Sequence, residues 1–461
     1  MPRRSLLLAL LSLLVLAAPA AASTTQVMRF ESPRDLKDPR TRTASLDEMQ
    51  RLGVDEVRVV LYWRDVAPKP TASRKPDFDT TDPAGYAWGE YDALLNDVKA
   101  RGMKTLLTVS GPVPRWATES KKDQITRPEA AEFAQFMTAV GRHFASRVAT
   151  WSIWNEPNQP QFLLPQYDSK LRPLSPPIYR ALYKAALRGL ASAKVPSPKV
   201  LIGETSPRRT GKVVGPVTFL RGMLCLNSRN RMRKGCGKLA AAGVAHHAYT
   251  TSAGPRFVPP RSYDITIGVL GRLTSLLDRA AKAGALPARL PIHVTEFGIQ
   301  SFPDRTVGVS LQRQEEYRAL SERIAYENPR VAAFSQYLLR DDDPRPGPIA
   351  RRYSGFETGL RFANGKAKPS LDGFRLVLSA VRRGSTVSLW GRIRPATGAT
   401  TARLEYRSGG AGSWRPLTQP TTTTRGVFRA RTKLVANRQY RVTWTSPSGA
   451  ALSGAAIRPL K

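Results

Sequence analysis

The sequence predicts a (β/α)₈ barrel followed by a small all-β sandwich. Apolar segments alternate with helical segments from residue 26 to residue 339, whereas short alternating strands without helical periodicity follow residue 370. The 461 residues are enough for both units. An open doubly wound sheet would need a glycine-rich phosphate turn after an early strand, and the sequence has none.

The predicted barrel strands are short, apolar and rich in β-branched or aromatic residues. They are residues 26–30, 54–63, 104–110, 151–156, 199–203, 243–249, 292–296 and 331–339. Helices are predicted at 43–52, 91–101, 128–144, 177–193, 266–283 and 311–327. Because every strand in such a barrel runs parallel, the carboxyl ends of all eight should meet at one rim.

Beyond the barrel, short strands at 385–393, 402–406, 427–430 and 439–445 are separated by Gly, Pro, Ser and Thr clusters. This pattern predicts an immunoglobulin-like sandwich at residues 379–461, after a barrel domain at residues 23–378. Its tryptophans are residues 390, 414 and 444. They suit sugar binding or core packing, and the small size of the module favours packing.

The N-terminus has the layout of a secretory signal peptide. Arg3 and Arg4 precede an apolar run at residues 6–16 and a small-residue stretch at residues 17–23. We expect cleavage near Ala22, which makes residues 1–22 a signal peptide and the mature chain secreted. No later apolar segment is long enough to span a bilayer, so we expect no transmembrane segment.

The two cysteines, Cys225 and Cys236, flank a basic polar loop at residues 226–235. In an oxidising compartment this spacing predicts a disulfide. A zinc site is disfavoured because neither cysteine has a partner at ligand spacing, and His246 and His247 belong to a different element.

The composition is strongly basic, with 72 Lys and Arg against 35 Asp and Glu and a formal net charge of +37. An anionic cell-wall polymer or a nucleic acid would suit this charge, as would a merely solvated surface in a chain of biased composition. The arginines are spread over the whole chain without a nucleic-acid motif, which favours the solvated surface. We expect a monomer without a nucleic-acid partner and leave the anionic polymer open.

Two predicted strands end in a glutamate. Residues 151–155 lead to Glu156, where Pro157 blocks further pairing, and residues 292–295 lead to Glu296. Cleavage of a glycosidic bond needs two such groups: a carboxylic acid that donates a proton and an ionised carboxylate facing the same anomeric carbon. A single glutamate at a strand end is often only a solvated turn residue, so the indication rests on the pair.

With these glutamates on strands four and seven, the chain resembles the clan A retaining glycoside hydrolases, such as families 5 and 39. The motifs are Trp154-Asn155-Glu156-Pro157 and Thr295-Glu296-Phe297-Gly298, and the resemblance covers residues 24–375. It implies that Glu156 is the acid/base and Glu296 the nucleophile, and that no cofactor or metal is needed.

The resemblance also implies roles for four further residues. Asn155 would donate to the sugar 2-hydroxyl, and Arg58 on strand two would orient the nucleophile. On strand six, His247 and Tyr249 are two residues apart and share a face, so the tyrosine would bond the nucleophile and the histidine would border the sugar. His246 would then point towards the helices.

Three residues near strand ends are additional substrate-binding candidates. Trp63 and Trp116 would stack on sugar faces or pack at the rim. Gln336 departs from the family 5 pattern, where strand eight carries a tryptophan under the sugar, and the polar run at residues 336–343 suggests polar contacts instead. This departure leaves the preferred sugar open.

The sequence therefore indicates a secreted retaining glycosidase that cleaves O-glycosidic bonds of a β-linked polysaccharide or oligosaccharide. Three alternatives remain at this point: an inactive barrel that binds envelope polysaccharide, a protein that binds nucleic acid or an anionic polymer through its charge, and a transglycosylase.

Overall fold

The structure, a computed structural model, describes residues 25–461, with the backbone only at residue 350. The predicted signal peptide lies outside these residues. Eight parallel strands pair in chain order, and the eighth pairs with the first, so the sheet closes into a barrel. The strands are β1 (Val27–Glu31), β2 (Glu56–Tyr62), β3 (Lys104–Ser110), β4 (Thr150–Ile153), β5 (Val200–Thr205), β6 (Gly243–His247), β7 (Ile292–Glu296) and β8 (Val331–Tyr337).

Except for the exposed helix Ile349–Arg352, the helices around the barrel bury apolar side chains. They are α1 (Pro33–Lys37), α2 (Pro39–Arg51), α3 (Trp63–Val66), α4 (Gly89–Ala100), α5 (Ala130–Phe144), α6 (Ser175–Ser192), α7 (Pro216–Met223), α8 (Gly271–Lys282), α9 (Leu311–Glu327), α10 (Ile349–Arg352) and α11 (Pro369–Arg375). The predicted helix at 311–327 has the observed bounds, and Ser310 caps it by accepting the Arg313 N–H at 3.2 Å.

Four barrel strands end earlier than the sequence suggests, β2 by one residue, β8 by two, and β4 and β6 at the candidate site. β4 ends at Ile153, because Trp154 and Glu156 have φ values of +70° and +40°, which cannot continue a strand. β6 ends at His247, two residues before Tyr249. At both places the chain leaves the sheet just before a predicted site residue, which places that side chain on the rim rather than inside the barrel.

The disulfide prediction is confirmed. Cys225 and Cys236 are bonded, with their Cα atoms 6.1 Å apart, in the segment between α7 and β6. Within residues 25–461, none of the helices combines the length and the apolar character that crossing a bilayer requires.

The C-terminal module is a sandwich of two antiparallel sheets, with orders β13-β10-β9 and β12-β11-β14-β15. Its strands are β9 (Leu376–Arg383), β10 (Thr386–Ile393), β11 (Arg403–Ser408), β12 (Arg415–Thr418), β13 (Val427–Lys433), β14 (Arg438–Thr445) and β15 (Ala451–Ser453). The first strand thus starts shortly before the predicted boundary at residue 379. Trp390 and Trp444 are buried, and the guanidinium groups of Arg407 and Arg441 cover Trp414.

The module packs on α9 of the barrel through a buried interface. Trp390 lies 5.3 Å from the ring of Tyr326, in a small apolar cluster. Next to it, Arg394 of the module donates to Glu322 of α9 at 2.8 Å, and both side chains are buried. One sheet of the sandwich therefore has both faces covered, by the second sheet and by the barrel.

Candidate active site

Three predicted residues converge at the carboxyl ends of β4, β6 and β7. A carboxyl oxygen of Glu156, a ring nitrogen of His247 and a carboxyl oxygen of Glu296 all lie within 4.8 Å of one another. The turn that carries Glu156 is anchored by Trp154, whose indole N–H donates to the Phe162 carbonyl at 3.1 Å. The ring of Trp154 packs on Gly111, where an added Cβ would approach it to 2.6 Å.

Glu296 is surrounded by donors. Arg58 Nη1 donates to Oε1 at 2.6 Å, and the Tyr249 hydroxyl donates to Oε2 at 3.2 Å. Nδ1 of His247 lies 3.3 Å from the same Oε2. A guanidinium on one oxygen, with a hydroxyl donor and the nearby cationic imidazole on the other, complements an ionised carboxylate, which is the state that a nucleophile requires.

Glu156 has a different environment. Its Oε1 lies 2.8 Å from Nδ1 of His247, and its Oε2 accepts a hydrogen bond from Gln159. Burial raises the pKa of Glu156 above its ordinary value, and the charge of Glu296 acts in the same direction, against the hydrogen bond from His247. The two carboxyl groups therefore have different environments. Glu296 accepts hydrogen bonds from a guanidinium and a hydroxyl group, whereas burial favours the protonated form of Glu156.

His247 is held on its other side by Glu204, at the end of β5. Nε2 of the histidine lies 2.8 Å from Oε2 of this carboxylate. Burial by itself would lower the pKa of His247, but the carboxylates of Glu296, Glu156 and Glu204 raise it to about 10. At neutral pH the ring is thus an imidazolium that donates to Glu156 and Glu204.

Glu204 is fully buried and ionised. Burial would raise its pKa, but Arg58 and His247 outweigh this effect and hold the pKa well below its ordinary range. The hydroxyl groups of Ser152 and Thr295 also donate to its two oxygens, at 2.5 and 2.6 Å. Glu204 thus orients the histidine from behind without facing the reaction space.

Arg58 connects the remaining groups. Its guanidinium is buried and contacts Glu31 at the end of β1, Glu296, and Oδ1 of Asn155 at 2.8 Å. Because Asn155 accepts through its oxygen, its NH₂ group remains the donor for a ligand. Burial by itself would lower the pKa of Arg58, but the charges of Glu204, Glu31 and Glu296 raise it well above its ordinary value, so the guanidinium stays charged.

Two carboxylates of this cluster, Glu31 and Glu204, were not predicted, although the signal was present. In the sequence each follows a largely apolar run, as Glu156 and Glu296 do: Glu31 is the last residue of β1 and Glu204 the last but one of β5. The rule that led to the catalytic pair therefore selects four glutamates of the barrel. Only the sequence motifs around Glu156 and Glu296 distinguished this pair from Glu31 and Glu204.

Three substrate-binding predictions are corrected by the structure. Trp63 and Trp116 are 0% and 1% exposed. The ring of Trp63 stacks on Phe136 at 4.7 Å and meets Trp116 edge-to-face at 5.8 Å, so both tryptophans belong to the core beneath the rim. Gln336 is also buried, and its amide N–H groups donate to main-chain carbonyls, including Thr358 O at 2.9 Å.

His246 points away from the site, as its alternation with His247 predicts. Its ring nitrogens lie 2.9 Å from Thr205 Oγ1 and 2.8 Å from Ile265 O, and burial lowers its pKa to about 4.

Glu156, His247 and Glu296 are, among the described residues, the one group spaced to hold a metal ion. A metal ion needs the lone pair of a neutral imidazole, which the protonated His247 lacks, so the charge of this site disfavours a metal. That the protein needs no metal stays a prediction.

An aromatic patch that the sequence did not indicate lies beside Glu296. The ring of Tyr249 packs near Tyr337 and Phe356, with ring centres 6.4 and 6.2 Å away. Phe356 is 43% exposed and lines a cleft of about 400 Å³ together with Tyr249. Tyr249 is thus shared between this cleft and the site, where it donates to Glu296.

No protein-family model matches the chain. Among curated proteins, beta-glucosidase 47 of Arabidopsis thaliana is 29% identical over 114 residues. The match spans 24% of this chain and 20% of that protein, so it covers only about a fifth of the relative's length.

Solved structures match over nearly the whole chain. A monomeric beta-xylosidase from Caulobacter crescentus has a TM-score of 0.53 and 16% identity, and the match covers 97% of this chain and 99% of that one. A family 39 glycoside hydrolase from Bacteroides cellulosilyticus also has a TM-score of 0.53 and 16% identity, with 91% and 80% covered.

A glucosidase from Croceicoccus marinus has a TM-score of 0.52 and 12% identity, with 92% and 96% covered. Identities this low establish the architecture and not the chemistry, and the architecture agrees with the closed eight-stranded barrel observed here. The chain has the (β/α)₈ barrel fold of the clan A glycoside hydrolases.

Proposed function

We propose that this protein is an exported retaining glycoside hydrolase that cleaves β-linked O-glycosidic bonds by double displacement. The observation that carries the proposal is the pair of glutamates, Glu156 and Glu296, whose oxygens approach within 4.8 Å at the strand ends of one barrel rim. Carboxyl groups about 5–5.5 Å apart are typical of retaining enzymes, whereas inverting enzymes need roughly 6.5–9.5 Å to admit a water.

In the first step, the ionised Glu296 attacks the anomeric carbon while Glu156 donates its proton to the leaving oxygen. A covalent glycosyl-enzyme forms and the aglycone leaves as an alcohol. Arg58 and Tyr249, which bond Glu296 in the free enzyme, keep its oxygens oriented for the attack.

In the second step, Glu156 has lost its proton and acts as a base. It removes a proton from water, and the water attacks the anomeric carbon and frees Glu296. His247 donates to Glu156 and so stabilises the carboxylate that exists between the two steps. Activity should fall as the pH rises through the raised pKa of Glu156, because the first step needs the protonated form.

Export is supported by the basic residues, the apolar run and the small-residue stretch at residues 3–23. The Cys225–Cys236 disulfide suits the same interpretation, since such bonds persist in oxidising compartments. Culture medium and cell fractions of an expressing host would test it: the mature chain should begin near residue 23 and lie outside the cytoplasm.

A panel of aryl β-glycosides tests the activity, because an activated leaving group makes even a poor substrate measurable. We expect turnover of at least one β-glycoside, retention of the anomeric configuration by NMR, and loss of turnover in Glu296→Gln. A 2-fluoro glycoside should label Glu296. Binding of glycans without any turnover would identify the inactive barrel, and dominant transfer to sugar acceptors would identify a transglycosylase.

A further inference from the structure

Three neighbouring hollows with shared lining residues lie across the loops that follow β5 to β8. The middle hollow, of about 400 Å³, is lined by Tyr249, Gln300, Tyr353 and Phe356. A hollow of about 220 Å³ shares Gln300 with it and extends to the loop after β5. A third, of about 460 Å³, shares Tyr353 and reaches the loop after β8. We call the whole the rim groove.

Exposed apolar side chains concentrate along the rim groove. Phe302, Val307 and Phe356 are 44%, 55% and 43% exposed, and each lines one or more of the hollows. Clustered exposed apolar residues commonly mark a binding surface. Aromatic side chains with one open face suit the C–H faces of sugar rings, whose edges carry the hydroxyl groups.

Buried polar atoms of the rim groove also lack partners. In the third hollow, Oδ2 of Asp341 and Oε1 of Glu357 are enclosed, yet neither has a hydrogen-bond partner among the described residues. The other oxygen of Asp341 accepts from Lys368 at 2.7 Å, and the other oxygen of Glu357 accepts from Gln300. Buried acceptors are normally satisfied, so the wall of the third hollow holds two acidic side chains whose hydrogen bonding is incomplete.

The rim groove adjoins the candidate catalytic centre at Tyr249, which lines the middle hollow and donates to Glu296. We propose that the rim groove binds several consecutive sugar units of a β-linked glycan chain, with Phe356 as the platform next to the reacting sugar and Phe302 as a platform farther along. The proposal rests on the proposed function. It assigns the enzyme to chain substrates rather than to glycosides of a single sugar.

The test uses Glu296→Gln, so that bound sugars stay intact, and titrates it calorimetrically with cello-, xylo- and manno-oligosaccharides of two to five units. We expect affinity to increase by tenfold or more from the disaccharide to the tetrasaccharide in at least one series. Phe302→Ala and Phe356→Ala, each added to Glu296→Gln, should reduce that ratio at least threefold. Val258→Ala is the matched control, because Val258 is 63% exposed and lies outside the rim groove.

Affinity that does not depend on length, a length dependence that both phenylalanine variants leave unchanged, or no binding in all three series would each overturn the proposal. Turnover of aryl β-glycosides by the unmodified enzyme reports separately on the proposed function. An enzyme that hydrolyses aryl glycosides but shows no length dependence would keep its function and lose the rim groove as a glycan site.

Discussion

Two buried clusters of charged side chains in this molecule differ in their balance of carboxyl groups and cations. The active-site cluster comprises Glu31, Glu156, Glu204, Glu296, Arg58 and His247. The interface cluster, between α9 and the C-terminal module, comprises Glu315, Glu322, Arg318 and Arg394. The first has four carboxyl groups for two cations, whereas the second has two of each.

The difference separates a chemical site from a structural one. In the interface cluster Glu322 lies between two guanidinium groups, and its pKa is lowered despite burial, because the charges of Arg394 and Arg318 outweigh it. In the active-site cluster two cations cannot neutralise four carboxylates, so burial and mutual repulsion favour a proton on one of them. This charge imbalance, at strand ends of the barrel, supports the acid role proposed for Glu156.

The largest expected effect comes from breaking the active-site cluster at Glu296, the proposed nucleophile. Glu296→Gln should reduce kcat by at least about 10⁴-fold, since no other group in reach attacks the anomeric carbon. The melting temperature should change little, because the amide still accepts from Arg58. Steady-state kinetics and a thermal melt on one preparation provide both readouts. Retained turnover would contradict the assignment of the nucleophile.

A substitution in the interface cluster should reduce stability rather than activity. Glu322→Ala leaves Arg394 and Arg318 buried without their shared partner and should cost about 3–5 kcal/mol of unfolding free energy. Glu327→Ala is the control: this side chain is 37% exposed and its pair with Arg323 should contribute only about 0–1 kcal/mol. Urea unfolding measures both variants. Equal costs would mean that the interface cluster is not structural.

An intermediate effect is expected at Glu204, which supports the site without contacting the reacting atoms. Glu204→Gln removes a charge behind His247, so the pKa of His247 should fall below about 10. By comparison with carboxylates that orient ligand histidines, kcat should fall roughly 10- to 100-fold. The chain has four histidines, so an NMR titration resolves them readily.

Ser152→Ala provides the matched control for Glu204→Gln. It removes one hydrogen bond to Glu204 but leaves the charge in place, so the pKa of His247 should shift much less. A histidine titration that is the same in the wild type and in Glu204→Gln would refute the positioning role.

The smallest expected effect is the pH dependence contributed by Glu31. Burial raises the pKa of Glu31 from 4.5 to about 7, against the charge of Arg58. The folded state thus binds a proton that the unfolded state has released, so this contribution to stability is lost as the pH rises from about 4.5 through about 7.

Glu31→Gln cannot titrate and should gain stability relative to the wild type over that range. Thermal melts at pH 5 and pH 7.5 measure the difference. Burial also raises the pKa of Glu315 to about 7, so Glu315→Gln provides the same comparison at the interface cluster. A difference between Glu31→Gln and the wild type that is independent of pH would contradict the assignment.

The barrel was predictable because its signals are local. A buried parallel strand must be an apolar run and a covering helix must bury one face, so alternation alone indicated eight strands, and β3 and α9 have the predicted bounds. Strand ends were predicted less well at β4, where positive φ values at Trp154 and Glu156 depend on the packing of Trp154 against Gly111. That contact joins residues distant in sequence.

The sequence by itself determined the barrel, the sandwich, the disulfide partners and the pair of glutamates, because each is marked by residue type and spacing along the chain. Only the tertiary structure decided that Trp63 and Trp116 are core residues, that Phe356 is exposed beside Tyr249, and that Glu31 and Glu204 complete the active-site cluster. Burial and charge balance are sums over groups from several strands, and the closed barrel is what brings those groups together.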